Sequence, residues 1–579
     1  MDSSVPLPGF LAANDACIDR ISGVISGTSR IACGPASIAY WGINPVAEDR
    51  GVLLLSEVVR TSRGAVSAKD VACEMVAQPD ALGRLLPPFA AIRGDRTGVA
   101  MVADSMGLRQ LYHSTPSAVG ERALSTSAVL VGWAAAAGFD ETAVAVQSQL
   151  GWQLGQRTLV SGVQKLAPGE VAYLGGTGVT TTIQPAPPIE PILINDAVRQ
   201  AASLLRTSLE ALLDEHPDAT LQLTGGQDSR LLLSAIPPAR RRGLRAMTLG
   251  VVGNEDVQVA AEIAGRYGIR HEVHGLDGLD DITSAQAWTL CVDAARRLDG
   301  MADPVALAAL TVAEGAFDQG VRISGLGGEV ARGFYYTGTV RDRAYTRKDA
   351  EQLAAWRMFA NESVEPEALT ADFGEWARRV AKESIFDTLT AGGPEWFRAT
   401  DTLYLRHRMQ RWAGVTDTAV AYQRIVINPM LDENFLMLAA QLAPQDKAHS
   451  RFLASLQMEL DPELGRMRLE GRPAPIAYAM AGPRSSARRS MTTVGKVARK
   501  VAQRVHRGNR APAGGVALAA KVVEHWRENP EIVEHSTLSP FVRESWIDDV
   551  LSTRLEPRPS SVAFVTNLVV VSQGAETKY

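Results

Sequence analysis

The residues with the clearest chemical potential lie in one short segment, 224–230 (TGGQDSR), between a predicted strand and a predicted helix. In an open sheet of parallel strands, ligands bind beyond the carboxyl ends of the strands, where such a segment lies. Gly225 and Gly226 can adopt positive φ and let the backbone approach phosphate oxygens. The N–H groups at the start of the following helix, together with the helix dipole, attract an anion. The pattern therefore predicts a loop that binds phosphate groups.

Three side chains of the same loop add to this chemistry. Thr224 and Ser229 supply hydroxyl groups, and Asp228 can hold a magnesium ion that neutralises a pyrophosphate. The segment is not a Walker A loop, because no GK[ST] sequence follows it. The alternative is an ordinary tight turn capped by Asp228 and Ser229. The whole seven-residue set in this position favours a nucleotide.

The surrounding sequence predicts the sheet that such a loop requires. Apolar residues recur at helical spacing from Val198 to Leu212, with Asn195 or Asp196 as the N-cap. Alternating strands and helices of this length indicate a parallel sheet with helices on both faces. The predicted strands are 219–224, 246–252, 271–274 and 321–324, and the predicted helices include 231–236, 255–267 (closed by Gly268) and 304–317.

The rest of the chain divides by composition into predicted domains. Residues 1–185 are rich in short β-branched runs, and the proline-dense stretch 184–191 (QPAPPIEP) is expected to be a linker. Residues 190–480 form a second domain that is mainly helical from residue 345 onward. Residues 481–579 are predicted to be a basic linker followed by a helical extension.

Composition excludes several classes of protein. The net charge of −5 gives no reason to expect nucleic acid binding. The four cysteines form no CxxC pair, which argues against a disulfide framework and a zinc site. Neither a signal peptide nor a membrane-spanning stretch is evident, so we expect a cytoplasmic protein. The basic run 484–510 could bind an anionic partner, but a solvated linker or helix face explains it more simply.

The loop resembles the SGGxDS loop of the N-type ATP pyrophosphatases, and more specifically that of the class B asparagine synthetases. A second segment, 324–329 (SGLGGE), is similar to the SGxGxDE segment of that family. The resemblance implies that Glu329 shares magnesium with Asp228, and that Ser324 and Gly325 belong to the ATP site. It also implies ATP contacts at Leu223 and Leu249, although both leucines could equally be plain core residues.

Further segments extend the resemblance over roughly residues 50–480. They are 103–112 (ADSMGLRQLY), 125–127 (STS), 166–169 (LAPG), 428–432 (NPMLD) and 442–447 (LAPQDK). The implied α/β fold is a degenerate Ntn-type glutaminase domain, α+β with mainly antiparallel sheets. A doubly wound, parallel ATP-pyrophosphatase sheet follows, with a helical C-terminal part.

Two departures from the family pattern bear on activity. Glutamine-dependent members begin with a nucleophilic cysteine, whereas this chain has Asp2, and its first cysteine, Cys17, is expected in irregular sequence. A glutaminase domain that cannot hydrolyse glutamine also occurs in β-lactam synthetases and lasso-peptide cyclases. The late catalytic lysine of the family is not recognisable either. Arg472 could supply its charge, although a surface arginine is the simpler interpretation.

The expected activity is that of an AMP-forming carbon–nitrogen ligase with ATP and Mg²⁺ as cofactors. It would activate a small-molecule or peptide carboxylate as an acyl-adenylate, which an amine or ammonia then attacks. The alternatives are an asparagine synthase using ammonia (or glutamine after processing), a lasso-peptide or β-lactam type of cyclase, and an inactive ATP-binding scaffold. No nucleic acid or membrane partner is expected, and the chain could form a homodimer.

Overall fold

The structure, a computed structural model, describes residues 7–116, 120–183, 188–250, 253–275, 277–315, 320–336, 339–360, 362–421, 423–479, 514–534 and 536–573. Within them the chain is a mixed α/β protein, with antiparallel sheets in its N-terminal part and a parallel sheet further along. The basic run 484–510 lies outside the described residues.

Two antiparallel sheets form the N-terminal part, as the short β-branched runs predict. Their strands are β1 (Gly9–Ala13), β2 (Ser29–Cys33), β3 (Ala36–Trp41), β4 (Val52–Leu54), β5 (Arg60–Thr61), β6 (Gly64–Ala65), β7 (Ala90–Gly94), β8 (Val99–Ala103), β9 (Tyr112–Ser114), β10 (Leu124–Ser125), β11 (Val163–Lys165), β12 (Glu170–Gly175) and β13 (Gly178–Ile183). The first sheet has the order β11-β9-β10-β1-β3-β2 and the second β13-β12-β8-β7-β4, while β5 and β6 pair separately.

The two sheets pack face to face around a shared core. Successive side chains of a strand point to opposite faces, so alternate residues of β1 lie in this core and on the outer side of the sheet. Phe10 and Ala12 of β1 lie in the core between the sheets, together with Ile92 and Met101 of the second sheet. Leu11, between them, faces a different core on the outer side. The helices of this part are α1 (Asp15–Ser22), α2 (Ala68–Ala77), α3 (Ala128–Ala134) and α4 (Glu141–Leu150).

The second part of the chain contains the parallel sheet. Its strands are β14 (Thr220–Gln222), β15 (Arg245–Leu249), β16 (Arg270–His274), β17 (Val321–Ile323) and β18 (Ile425–Ile427). All pairings are parallel, in the order β16-β15-β14-β17-β18. The predicted parallel sheet is therefore confirmed, although β15 ends at Leu249 rather than at residue 252. Strand β18 lies inside the region predicted as mainly helical.

Helices surround this sheet. They are α5 (Ile194–Glu215), α6 (Asp228–Ala235), α7 (Pro238–Arg241), α8 (Glu255–Tyr267), α9 (Ser284–Arg297), α10 (Pro304–Glu314), α11 (Arg347–Leu353), α12 (Ala371–Ala391), α13 (Trp396–Leu403), α14 (Val415–Val420), α15 (Glu433–Gln441), α16 (Pro444–Lys447), α17 (Arg451–Leu460) and α18 (Ile476–Ala479). The predicted cap of α5 is wrong: Leu193 occupies the N-cap and makes no side-chain cap hydrogen bond. The predicted helix 255–267 and its Gly268 cap are confirmed.

Three C-terminal helices complete the described fold, namely α19 (Gly515–Glu528), α20 (Glu544–Leu551) and α21 (Pro559–Gln573). Helix α21 packs against α9, α10 and α19. Its residues Val562 and Phe564 share one hydrophobic core with Val305 of α10 and Leu11 of β1. The C-terminal helices therefore belong to the same core as the outer face of the N-terminal sheet.

Candidate functional site

The order of the parallel strands places two loops side by side. Strand β14 lies between β15 and β17, so the succession of strands along the chain reverses direction at β14. Leu221 of β14 is in register with Ile323 of β17. Segments 223–227 and 324–327 therefore leave the same edge of the sheet, and a crevice at such a reversal is where doubly wound sheets bind ligands.

The loop after β14 is held by its own hydrogen bonds. The Gly225 N–H donates to Asp256 Oδ1 at 2.6 Å, and the Gly226 N–H donates to Thr224 Oγ1 at 3.1 Å. The Thr224 and Ser229 hydroxyl oxygens lie 3.1 Å apart. Neither Gly225 nor Gly226 has positive φ, so the prediction of left-handed backbone at these glycines is wrong. Gly225 instead packs closely against α8: a Cβ there would lie 3.1 Å from Val259 Cβ, tighter than most Cβ contacts.

Free donors in this loop lie at the start of α6. Among the described residues, the N–H groups of Gln227, Asp228 and Ser229 have no hydrogen-bond acceptor. The first N–H groups of a helix have no acceptor within the helix, and they coincide with the positive end of its dipole. Three donors therefore remain for an anion at the helix start, which lies at Asp228 rather than at the predicted residue 231.

The second loop, after β17, approaches Asp228 closely. A Cβ on Gly328 would lie 2.3 Å from Asp228 Oδ1, and one on Gly325 would lie 2.8 Å from the Ser229 nitrogen. Both distances are shorter than real Cβ contacts allow, so only glycine lets the two loops meet. The structure thus brings Ser324, Gly325 and Glu329 to the same crevice as Asp228, as the resemblance implies.

Asp228 and Glu329 share one arginine. Arg332 Nη2 lies 3.4 Å from Asp228 Oδ2 and 3.3 Å from Glu329 Oε1. The other oxygen of each carboxylate, Asp228 Oδ1 and Glu329 Oε2, is buried without a hydrogen-bond partner. Buried polar atoms without a partner are rare in proteins and call for an explanation.

The electrostatics of the carboxylate pair follow from burial and mutual repulsion. Burial raises the pKa of Asp228, while the charges of Arg332 and Arg472 oppose the shift. Burial also raises the pKa of Glu329, and the Asp228 charge raises it further. Two like charges this close are costly unless a cation lies between them.

The donor set fits a magnesium ion shared with phosphate oxygens. Mg²⁺ is typically bound through one or two carboxylates and completes its shell with water and substrate phosphates. The two orphaned oxygens, Asp228 Oδ1 and Glu329 Oε2, supply two such ligands. Among the described residues there is no group of three or more His, Cys, Asp or Glu side chains suited to a metal. A metal here would depend on ligands from a bound nucleotide.

Leu223 and Leu249, the two leucines implied to contact ATP, differ in their surroundings. Leu223 is fully buried, its N–H donates to the Met247 carbonyl, and its own carbonyl accepts a hydrogen bond from the Thr248 hydroxyl. These contacts favour a core role for Leu223. Leu249 is half-buried at the carboxyl end of β15, at the edge of the sheet that carries both loops.

Sequence reasoning missed a segment that closes over the loop. Arg230 is buried, and its guanidinium donates to the Met467 carbonyl at 2.7 Å and to the Arg468 carbonyl at 2.8 Å. The Glu470 N–H donates to the Gly225 carbonyl at 3.0 Å.

Arg472 lies two residues after Glu470 in this segment. It is half-buried, and its positive charge interacts with the Asp228 carboxylate. The interpretation of Arg472 as a surface arginine is therefore wrong. Arg332 likewise carried no signal as a site residue.

Cys17 and Cys33, the first two cysteines of the chain, lack the features of a nucleophile in this structure. Cys17 is buried in α1, not in irregular sequence as predicted, and Cys33 is buried in β2. Burial raises the pKa of the Cys17 thiol, and that of the Cys33 thiol to about 11. Reactive cysteines need the opposite shift, because the thiolate is the nucleophile.

Comparisons with known proteins add little to this picture. No protein-family model and no curated protein sequence matches the chain. Among solved structures, a glutamine phosphoribosylpyrophosphate amidotransferase from B. subtilis, in complex with ADP and GMP, is similar over 46% of this chain and 65% of that chain, with 10% identity and a TM-score of 0.20. An allosteric regulatory enzyme of purine biosynthesis is similar over 46% and 74%, with 9% identity and a TM-score of 0.20. At these scores neither similarity carries weight for fold or activity.

None of the described helices combines the length and apolar character needed to cross a membrane.

Proposed function

We propose that this protein is an ATP-dependent ligase that joins a carboxylate to an amine and releases AMP and pyrophosphate. One observation carries the proposal: Asp228 and Glu329 meet at the reversal point of a parallel sheet, and each has a buried oxygen without a partner. The fold class alone would not support it, since one fold serves many functions.

In the proposed reaction the chain binds and orients two substrates beside each other. A carboxylate oxygen attacks the α-phosphorus of ATP, and the bond to the bridging oxygen breaks so that pyrophosphate leaves with the electron pair. The amine nitrogen then attacks the acyl carbon of the acyl-adenylate, loses a proton, and displaces AMP. Adenylation removes the carboxylate charge that would otherwise repel the nucleophile.

The residues of the crevice have distinct proposed roles. Asp228 and Glu329 would hold Mg²⁺, which neutralises charge on the phosphate oxygens. The N–H groups of Asp228 and Ser229, at the positive end of α6, would stabilise the same charge. Arg472 adds a positive charge close to Asp228. With Cys17 and Cys33 buried, the amine is proposed to come from solution or from the substrate itself.

Exchange of labelled pyrophosphate into ATP tests the proposal. Wild-type protein should catalyse exchange in the presence of Mg²⁺ and its carboxylate substrate. Exchange that depends on aspartate would indicate asparagine synthesis, and exchange that depends on a peptide acid would indicate a cyclase. Asp228→Asn should lower the exchange rate roughly 100-fold or more, because the metal and its charge stabilisation are lost. Asp218→Asn, at an exposed site two residues before β14, should leave the rate unchanged. An undiminished rate in Asp228→Asn would refute the magnesium assignment.

A nucleotide-binding scaffold without catalysis is the second candidate. Arg332 reaches both carboxylates and therefore supplies a positive charge where a metal would act. A scaffold of this kind would bind ATP yet exchange no pyrophosphate with any carboxylate offered.

A further inference from the structure

A second cavity lies beside the nucleotide crevice. It has a volume of about 390 Å³, and Ser324, which leaves β17 at the crevice, lies in its wall. Its other walls come from α10, from segment 412–417 and from α21. The volume is within the range of small-molecule sites. Neither the loop chemistry nor the proposed metal site accounts for this space.

Two buried asparagines line the cavity with unused acceptors. Asn428 and Asn567 are 0% and 1% exposed, and the Oδ1 atom of each has no hydrogen-bond partner. The Nδ2 contacts fix the orientation of each side-chain amide. Asn567 Nδ2 donates to the Ala302 carbonyl at 2.8 Å, and Asn428 Nδ2 lies 3.5 Å from Asp417 Oδ2. Both unpartnered atoms are therefore carbonyl oxygens, which can only accept.

Acidic side chains dominate the free charge of the cavity. Asp303 accepts a hydrogen bond from the Ala306 N–H at 3.0 Å as the N-cap of α10, and among the described residues it forms no ion pair. Arg322 and Arg424 also line the cavity, but both pair with Glu314, at 2.9 Å in the case of Arg322. The Asp417 carboxylate, also in the lining, interacts with both arginines. Glu314 and Asp417 together thus balance the two guanidinium charges, whereas Asp303 has no cationic partner among the described residues.

The remaining lining is apolar. Leu307 and Leu310 of α10 face Ala563 and Phe564 of α21 across the cavity. The Trp412 ring, 43% exposed, adds an aromatic surface. Aromatic faces attract cations as well as apolar groups. The cavity therefore combines apolar walls with two hydrogen-bond acceptors and one carboxylate.

We propose that this cavity binds a primary ammonium group carried on a short apolar body, with Asp303, Asn428 and Asn567 as its polar contacts. This inference rests on the proposed ligase function in one respect: the bound ammonium would lose a proton to solvent, and the resulting amine would be the nucleophile that attacks the activated acyl group. The cavity holds a small amine, so recognition of the amine would be part of the chain's specificity.

Calorimetric titration of the full chain tests the cavity without catalysis. The probes are butylammonium, butyrate and 1-butanol, which share one apolar chain and differ in the polar group. Butylammonium should bind saturably, and the other two at least about tenfold more weakly. Only the ammonium brings a positive charge to Asp303 together with several N–H donors; 1-butanol has one uncharged donor and butyrate has none. Equal binding of all three, or preference for butyrate, would overturn the proposal.

Single substitutions test whether butylammonium binds in the cavity or elsewhere on the protein. Asp303→Asn can still cap α10 and should weaken butylammonium binding about tenfold. Asp140→Asn changes the matching N-cap of α4, outside the cavity, and should have no effect. Ala563→Leu fills the apolar end and should weaken butylammonium more than methylammonium. Unchanged affinities in both Asp303→Asn and Ala563→Leu would refute the site.

The two proposals can fail separately. Amine binding without pyrophosphate exchange in wild-type protein would retain the cavity assignment and remove the ligase. Exchange without selectivity for the ammonium probe would retain the ligase and overturn the amine site.

Discussion

Gly328 determines where the Asp228 carboxylate can lie. Its Cα faces Asp228 so closely that any Cβ would fall 2.3 Å from Oδ1. Asp228 Oδ1 is the oxygen that has no other partner. The second loop thus fixes the carboxylate by contact on one side while Arg332 holds it on the other. A side chain at 328 would move an oxygen that the proposed metal needs.

Gly328→Ala should therefore lower pyrophosphate exchange at least about tenfold, since small displacements of catalytic groups have effects of this size or more. Its backbone φ is not in the left-handed region, so the effect should come from contact with Asp228. The matched control is Gly265→Ala, in α8, where a Cβ would meet nothing within 4 Å. That change should leave exchange intact and stabilise the fold by up to about 1 kcal/mol. Normal exchange by Gly328→Ala would contradict the close-packing argument.

At the scale of elements, Arg230 connects the segment after α17 to the loop at 223–227. Its buried guanidinium donates to the carbonyls of Met467 and Arg468, and the chain then reaches Glu470 and Arg472. A planar group with several fixed donors suits two carbonyls better than an ammonium does. The position of Arg472 near Asp228 therefore depends on a residue of α6.

Arg230→Lys should leave at least one buried carbonyl without a donor and lower the free energy of unfolding by about 1–3 kcal/mol. Chemical denaturation measures this loss, and the KM for ATP should rise as the Arg472 segment loosens. Arg266→Lys is the control, because Arg266 pairs with Glu463 at 3.2 Å with both side chains more than half exposed. An exposed pair of this kind contributes less than about 1 kcal/mol. Equal stability of the two variants would show that Arg230 does not anchor the segment.

Local signals explain which elements could be predicted. Helix 255–267 has a capping Asn254 and a terminal Gly268 at φ 65°, both readable from the sequence. Strand β18, Ile425–Ile427, is as short as β14 and β17, but it lies in a mainly helical region without the alternation of strands and helices that identified those two. Arg332 could not be identified either, because its contacts to Asp228 and Glu329 depend on packing between distant loops. The ATP and magnesium assignments themselves remain predictions.

At the scale of the whole molecule, one buried carboxyl group connects the N-terminal part to the rest of the chain. Asp299, just after α9, accepts hydrogen bonds from the Ser127 hydroxyl and from the Val129 N–H at 3.3 Å in the N-terminal part. Burial raises the pKa of Asp299 to about 7, although these hydrogen bonds oppose the shift. The folded protein therefore holds a proton at Asp299 that the unfolded chain releases near pH 4.

Asp299 should make stability fall as pH rises. A carboxyl whose pKa is higher in the folded state binds more protons there, so the free energy of unfolding decreases from about pH 4 through pH 7. Asp299→Asn should remove this component, and its stability relative to wild type should increase by at least about 1 kcal/mol across that interval. Thermal unfolding at several pH values measures the difference. Asp214→Asn, at an exposed site, should track wild type throughout, and a pH-independent difference for Asp299→Asn would contradict the shift.

Helix α21 also bears on how the protein is made. It supplies Ala563, Phe564 and Asn567 to the cavity beside the crevice, more than 300 residues after the loop at 224–230. During translation the nucleotide loop can fold long before that wall exists. The parallel sheet is complete once β18 has emerged, so both loops of the crevice can form while the second cavity is still open to water, and that cavity closes only after residue 567 has been synthesised.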